Sequence, residues 1–189
     1  MLPNMKKTFL ALAALLLAAV AVQGGNTVKK SYAIDGFSGI RASDAFQVVV
    51  KHSDTFFVEV EVSEEFLPYV SVKNDAGILE LGFSKVPVKV QQKKRSRVAK
   101  AVVHMPELHL VSLSGASRLS SDDSFVSPMH AFAADLSGAS EIGPLSVQAP
   151  DVDIALSGAS KAVVSLRASE VKAGLSGASR LDVVGRTAD

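Results

Sequence analysis

The peptide Leu-Ser-Gly-Ala-Ser (LSGAS) occupies residues 113–117, 136–140, 156–160 and 175–179, at successive steps of 23, 20 and 19 residues. A nearly constant step of about twenty residues is typical of a supersecondary unit that stacks on copies of itself. We therefore predict that identical letters of the four copies become neighbours in space, with their leucines in one interior file.

Apolar and polar residues alternate on both sides of each copy. Before the copies, the predicted inward positions hold His109, Phe132, Val152 and Val171, followed two residues later by Val111, Ala134, Ile154 and Ala173. After the copies, the inward position holds Leu119, Ile142, Ala162 and Leu181. A period of two indicates β-strands, and Gly among small residues is typical of a tight corner because Gly adopts positive φ without steric cost. Each copy is predicted to join two strands whose apolar edge is buried only by stacking.

The residue that follows each copy is charged. In stacked copies these residues form one outward row, which reads Arg118, Glu141, Lys161 and Arg180. The first three alternate in sign and attract one another, whereas Lys161 and Arg180 repel weakly, because exposed pairs are worth less than about 1 kcal/mol. The row supports the register of the stack without driving it.

The repeat length and the period of two distinguish between repeat architectures. Tetratricopeptide and ankyrin units need about 33 or 34 residues and a helical period, and leucine-rich repeats need several Leu and an Asn at fixed offsets. LSGAS fits none of these, so the pattern predicts an all-β fold, a parallel β-solenoid with about twenty residues per rung.

Residues 1–24 have the features of a secretory signal peptide. Lys6 and Lys7 precede an unbroken apolar run of 14 residues at 9–22, and a small-x-small site predicts cleavage after Ala21 or nearby. A membrane span needs about 20 apolar residues. We expect export to the periplasm, the cell surface or the medium, with no stable membrane span after cleavage; an uncleaved anchor is the alternative.

Composition narrows the possible chemistry. The chain has no Cys, which excludes disulfides, thiol nucleophiles, thiolate zinc sites and lipid attachment to a cleavage-site Cys. Without Lys6 and Lys7, 18 basic residues face 19 acidic ones, so the mature chain is nearly neutral. Global charge therefore favours no particular partner.

The segment between the signal and the first copy has strand patterning with a different rhythm. Residues 46–51 are rich in Val, and residues 57–62 alternate Val with Glu. Residues 63–67 predict one helical turn or a capped loop before Pro68. Strands at 70–72 and 78–83 are predicted to form a hairpin around a turn at 74–77.

These segments together resemble the auto-transporter adhesin family named for its head GIN domain. The resemblance rests on residues 37–40, 46–50, 58–62, 67–69 and 76–79 and on Met-Pro-Glu-Leu at 105–108 leading into LSGAS. It extends from about residue 32 to the end of the chain. It implies an exported bacterial protein with an adhesin role, and a right-handed β-helix built from single strands; it supplies no catalytic residues.

Combining repeats and resemblance, we predict a single-stranded right-handed parallel β-helix (β-solenoid), preceded by an N-terminal strand-rich region that packs onto it or begins it. Residues 25–189 are predicted to form one domain, with N-terminal strands at 31–84, a basic loop or edge strand at 85–100 and LSGAS rungs at 101–189. Family members continue for another strand or two beyond the last copy. We expect either an uncapped end with unpaired backbone, through which copies associate into a homo-oligomer, or a sequence that is incomplete at this end.

A basic segment is the candidate binding surface. Between Glu80 and Glu107 no acidic residue occurs, and the basic residues are Lys85, Lys89, Lys93, Lys94, Arg95, Arg97 and Lys100. Such a segment is suited to an anionic glycan or another cell-envelope component; nucleic acid is not expected, because no aromatic residue lies among the cations to stack a base. A solvated connecting loop is the alternative interpretation.

Catalytic and metal sites have weaker support. The carboxylates between Asp122 and Asp153 do not recur at matching offsets, although Asp151 and Asp153 share a strand face. His104 and His109 are five residues apart and so lie on opposite faces, which makes them a poor metal pair. His109 occupies the inward column, where a satisfied or end-capping His is expected. The serines of LSGAS have no His or Lys at a repeating offset to activate them.

The sequence thus predicts an exported, non-enzymatic recognition or scaffolding module of the bacterial cell envelope, of adhesin type, without cofactor or metal. The alternative is a polysaccharide lyase or hydrolase that uses surface carboxylates.

Overall fold

The structure, a computed structural model, describes residues 26–91 and 97–187. Within these residues the backbone forms sixteen β-strands, one short α-helix and one 3-10 helix. The predicted signal peptide at 1–24 lies outside the described residues.

The first half of the chain contains β1 (Thr27–Tyr32), β2 (Gly39–Ala42), β3 (Gln47–His52), β4 (Phe57–Ser63), the 3-10 helix (Glu64–Tyr69), β5 (Val70–Asp75), β6 (Ile78–Phe83), α1 (Val88–Gln91) and β7 (Ala99–Met105). The second half contains β8 (Leu110–Leu113), β9 (Arg118–Ser120), β10 (Ser124–Val126), β11 (Phe132–Leu136), β12 (Glu141–Gln148), β13 (Asp151–Leu156), β14 (Lys161–Ala168), β15 (Glu170–Leu175) and β16 (Arg180–Thr187).

The strands form two sheets. The larger sheet has nine strands in the order β1-β4-β7-β3-β9-β12-β14-β16, with β10 beside β12. The smaller sheet has seven strands in the order β15-β13-β11-β8-β2-β6-β5. The inward side chains of both sheets form one hydrophobic cluster, in which Phe46, Phe125 and Phe132 are among the largest buried residues.

Each LSGAS copy connects a strand of the smaller sheet to a strand of the larger one. The glycine of every copy has a φ of 71–73°, in the left-handed region that Gly adopts without strain. Within three of the copies the last serine donates its hydroxyl to the carbonyl of the first, at 2.7–2.9 Å. The copies are therefore structural corners, as predicted.

The four copies are in register. Leu113 pairs with Leu136, Leu136 with Leu156 and Leu156 with Leu175 in successive parallel ladders. Beyond the corner, the column of Leu119, Ile142, Ala162 and Leu181 is equally aligned. The prediction that identical letters become neighbours is confirmed for these positions, and the first three leucines are buried.

The predicted fold class, a single-stranded right-handed parallel β-helix, is wrong. Both sheets are mixed, because β1 pairs with β4, β4 with β7 and β5 with β6 in antiparallel orientation. The first half also joins the second out of chain order, because β3 lies between β7 and β9 and β2 lies between β6 and β8. LSGAS specifies parallel stacking only where it occurs, and the N-terminal segment lacks the motif. That segment instead contains the β5–β6 hairpin and the antiparallel strand β4.

The N-terminal elements lie close to their predicted positions. The hairpin is confirmed, since Val70 pairs with Phe83 and the turn has positive φ at Ala76 and Gly77. The helical turn is the 3-10 helix at Glu64–Tyr69. The edge strand considered for the first half of the basic segment is not formed, because residues 88–91 are helical. The division of 25–189 at residues 84 and 100 stays a prediction.

Candidate binding surface

A row of charged and polar side chains crosses the outer face of the larger sheet. Register partners on eight adjacent strands are Lys29, Glu61, Lys100, Gln47, Arg118, Glu141, Lys161 and Arg180. The four C-terminal members confirm the predicted row. The other four were missed, because β1, β4, β7 and β3 carry no LSGAS copy that would reveal their register.

Neighbours in this charged row neutralise one another in part. Arg118 Nε lies 3.2 Å from Glu141 Oε2, and Lys161 Nζ lies 4.0 Å from Glu141 Oε1. Arg180 avoids Lys161 by pairing with Asp182 of its own strand at 3.0 Å. At the other edge Lys29 donates a 2.9 Å hydrogen bond to Glu59, which raises the pKa of the Lys29 ammonium. The row therefore carries charges of both signs and is not a continuous positively charged surface.

A cavity of about 580 Å³ lies beside the basic segment. Its walls come from the turn after β2, the 3-10 helix, the end of β6 and both sides of α1. The lining residues are Asp44, Phe66, Phe83, Lys85, Val86, Gln91 and Arg97. Two cations and two aromatic rings thus converge on one concave site.

We call this site the Arg97 cavity, because contacts within it hold the Arg97 side chain in place. Its guanidinium carbon lies 4.9 Å from the ring centre of Phe83 and 5.5 Å from that of Phe66, within the range of cation–π attraction. It also donates a hydrogen bond to the carbonyl of Asp44. The Asp44 carboxylate accepts from the Phe83 amide at 3.0 Å. Two aromatic rings and a carbonyl therefore orient the guanidinium before any ligand arrives.

The structure divides the predicted basic residues between different surfaces. Lys85 and Arg97 line the cavity, and Lys89 lies on α1. Lys93, Lys94 and Arg95 lie outside the described residues. Lys100 belongs to β7 and to the charged row, where it faces Glu61 rather than the cavity residues. The remaining walls lie outside the segment: Asp44 and Phe66 are 41 and 19 residues before Lys85, and Phe83 is the last residue of β6. The segment therefore gave no signal for them.

The carboxylates considered for catalysis are dispersed. Asp151 and Asp153 are exposed on β13, opposite Glu170 and Lys172 of β15. A hydrogen bond to Glu170 raises the pKa of Lys172. Asp123 accepts a hydrogen bond from the His52 amide at 3.0 Å and so holds a loop. The cavity and these carboxylates are on different elements.

The four histidines lie in three places, one of which is His52 with its ring centre 5.9 Å from that of Phe125. His104 on β7 packs on Phe57, with ring centres 5.2 Å apart. His109 lies beside His130, with ring centres 4.6 Å apart, and its Nε2 is 3.0 Å from Glu107 Oε2. Spacing in the sequence draws attention to His104 and His109 as a pair, whereas the contribution of His130 was missed. The available signal was the alignment of the copies, because Glu107 and His130 each lie six residues before a motif leucine.

The last strands leave apolar side chains at the surface. Val171 and Leu175 on β15 and Val183 and Val184 on β16 are exposed. Association of copies through this end stays a prediction. Among the described residues there is no helix with the length and hydropathy needed to cross a membrane.

A family model described as "Putative auto-transporter adhesin, head GIN domain" matches residues 36–189. No curated protein matches the sequence significantly.

Solved structures share the fold. A putative adhesin from Parabacteroides distasonis is similar with a TM-score of 0.75 at 18% identity, over 86% of this chain and 67% of that one. A putative adhesin from Bacteroides fragilis has a TM-score of 0.56 at 13% identity, over 85% and 95%. A putative lipid binding protein from Parabacteroides distasonis has a TM-score of 0.57 at 12% identity, over 86% and 96%.

Proposed function

The chain belongs to the auto-transporter adhesin family with the head GIN domain, and from this premise we propose that it is an exported, non-enzymatic recognition module of the bacterial cell envelope. Its ligand is an anionic glycan, bound at the Arg97 cavity. The observation that carries the proposal is the convergence of Lys85 and Arg97 with two aromatic rings on one concave site.

The cavity suits an anionic sugar for two physical reasons. Arg97 presents a planar set of donors that matches a carboxylate or sulfate, and its orientation is fixed in advance, which reduces the entropy lost on binding. The buried ring of Phe66 helps to hold the Arg97 guanidinium. The half-buried Phe83 supplies apolar wall for the carbon face of a sugar ring, while Lys85 adds a second positive charge. Lys89, Lys93, Lys94, Arg95 and Lys100 remain proposed contributors to attraction over a longer range.

We expect Lys85→Asn to weaken binding of a uronic-acid or sulfated oligosaccharide about fivefold, the loss of one partly exposed charge contact. Asn is chosen because Lys85 has a φ of 54°, and Asn tolerates the left-handed region better than other neutral residues that carry a side chain. Arg97→Lys keeps the charge but loses the planar, stacked donor set, and should weaken binding at least as much. Titration calorimetry measures both.

The matched control is Lys172→Ala, because Lys172 lies on β15, at the opposite edge of the smaller sheet from β6 and β5. It should bind like the unchanged chain. Raising the salt concentration should weaken all binding through screening of exposed charges, and a neutral oligosaccharide should not bind. Equal affinity for neutral and anionic sugars, or equal losses in Lys172→Ala and Lys85→Asn, would contradict the proposed site.

A second expectation addresses catalysis. The double variant Asp151→Asn with Asp153→Asn should fold, since both side chains are exposed, and should bind the anionic glycan as the unchanged chain does. Neither protein should release reducing or unsaturated ends from bacterial or plant polysaccharides. Cleavage by the unchanged chain that disappears in the double variant would replace the binding function with an enzymatic one.

A further inference from the structure

We propose that Glu107, His109 and His130 form a binding site for a divalent transition-metal ion such as Zn²⁺. One oxygen of Glu107 and one ring nitrogen from each histidine all lie within 4.8 Å of one another. Two imidazoles and a carboxylate are a ligand set that Zn²⁺ takes in proteins, with a fourth position left for water or an outside ligand.

The topology of the smaller sheet brings the three residues together. Since β8 and β11 are parallel neighbours with Leu110 opposite Ala133, the segments that lead into them lie side by side at one end of the sheet. Glu107 and His130 each lie six residues before the leucine of an LSGAS copy, and His109 lies four before its own. Glu107 and His130 are thus equivalent positions on adjacent segments, and His109 lies two residues beyond Glu107.

The backbone fixes His109 between its neighbours. Its amide donates to the Ser38 carbonyl at 2.7 Å, and its own carbonyl accepts from the Ala133 amide at 2.8 Å. Glu107 and His130, in contrast, are exposed. The site therefore has one rigid ligand and two ligands that can rotate. Donor atoms around a tetrahedral zinc ion lie about 3.3 Å apart, so rotation of the two exposed side chains closes the remaining distance.

The contact between His109 and Glu107 is itself unusual. Nε2 of His109 is shielded from solvent and lies 3.0 Å from Glu107 Oε2, yet the two atoms are not aligned for a hydrogen bond. A shared cation would satisfy both the shielded nitrogen and the carboxylate oxygen.

The other copies argue against a purely structural reason for these residues. At the position of His109, the following strands carry Phe132, Val152 and Val171; at the position of Glu107 and His130, they carry Pro150 and Ser169. Stacking therefore needs neither a histidine nor a carboxylate at these positions. The three potential ligands occur together only where β8 and β11 are neighbours.

The test is zinc binding by the whole chain, purified without a polyhistidine tag, followed by titration calorimetry and by thermal unfolding. Zinc chloride at a hundredfold excess over its dissociation constant should raise Tm by about 5–10 °C. His109→Phe and His130→Ser, which copy residues at equivalent positions, should each weaken zinc binding by at least about tenfold and, at the same zinc concentration, reduce the Tm shift to about half or less. Glu107→Gln should also weaken zinc binding.

His104→Ala is the matched control, because His104 packs on Phe57 and belongs to no such group among the residues that the structure describes. It should bind zinc like the unchanged chain. His130→Ser keeps the test valid if His109→Phe fails to fold, since His130 is exposed. Calcium chloride should produce no shift, because imidazole is a poor ligand for that ion. Absence of zinc binding at micromolar concentrations, or zinc binding unaffected by His130→Ser, would overturn the site.

Discussion

Gly158→Ala is expected to destabilise the fold by about 3 kcal/mol, because it combines two costs at one position. Gly158 has a φ of 71°, and a Cβ added there would lie 2.7 Å from the Gly138 carbonyl oxygen. The backbone strain alone is worth about 1–2 kcal/mol, and the clash with rigid backbone adds about 1–3 kcal/mol. Urea unfolding followed by circular dichroism measures the loss.

Two other glycines separate these costs. Gly115→Ala has the same φ of 72° but meets nothing closer than 3.5 Å, since no LSGAS copy lies beneath it, so only the strain of about 1–2 kcal/mol should remain. Gly174→Ala, in β15, meets nothing within 4 Å and should be neutral or slightly stabilising. Equal losses at Gly115 and Gly158 would contradict the close approach of successive corners.

Leu136→Ala should cost about 2–5 kcal/mol, the range for a leucine removed from a packed core. Leu136 is 0% exposed and lies between Leu113 and Leu156 in the interior file. Its removal leaves a cavity that neighbours on both sides cannot fill without losing register. The free energy of unfolding, again from urea denaturation, gives the size of the effect.

Leu175→Ala is the control within the same file. Leu175 is 50% exposed and has a neighbour on one side only, Leu156. Its loss should cost under about 1 kcal/mol, because little area returns to water and no enclosed cavity forms. A larger loss of stability in Leu175→Ala than in Leu136→Ala would mean that Leu136 is not the more deeply buried of the two leucines.

The register of the part that carries LSGAS was predictable from sequence, whereas in the N-terminal part only local elements such as the β5–β6 hairpin were. LSGAS fixes both the corner and the register, because its glycine needs positive φ and its leucine must be buried. The sequence alone therefore predicts that Leu113 lies opposite Leu136. No such marker connects β2 to β8 or β3 to β9. Those pairings join residues about 70 positions apart, and they depend on packing that the local pattern does not encode.

The candidate site was predictable to a similar extent. Lys85 and Arg97 stand out as cations in a segment without acidic residues, but Phe66, Phe83 and Asp44 reach the cavity from three other elements. Phe83 in particular reads as the last residue of a strand. Its role against Arg97 follows only from the hairpin and the 3-10 helix, which bring Phe66 and Phe83 together with ring centres 5.6 Å apart.

The central claim, that successive LSGAS copies are adjacent and in register, is tested most directly by nuclear Overhauser contacts in a leucine-methyl-labelled sample. The account predicts cross-peaks between Leu113 and Leu136, between Leu136 and Leu156 and between Leu156 and Leu175, since parallel neighbours are about 4.8 Å apart. Contacts that skip a strand, such as Leu113 with Leu156, should be far weaker. Absence of the three neighbour contacts, or a set that joins the leucines in another order, would contradict the fold and the site built on it.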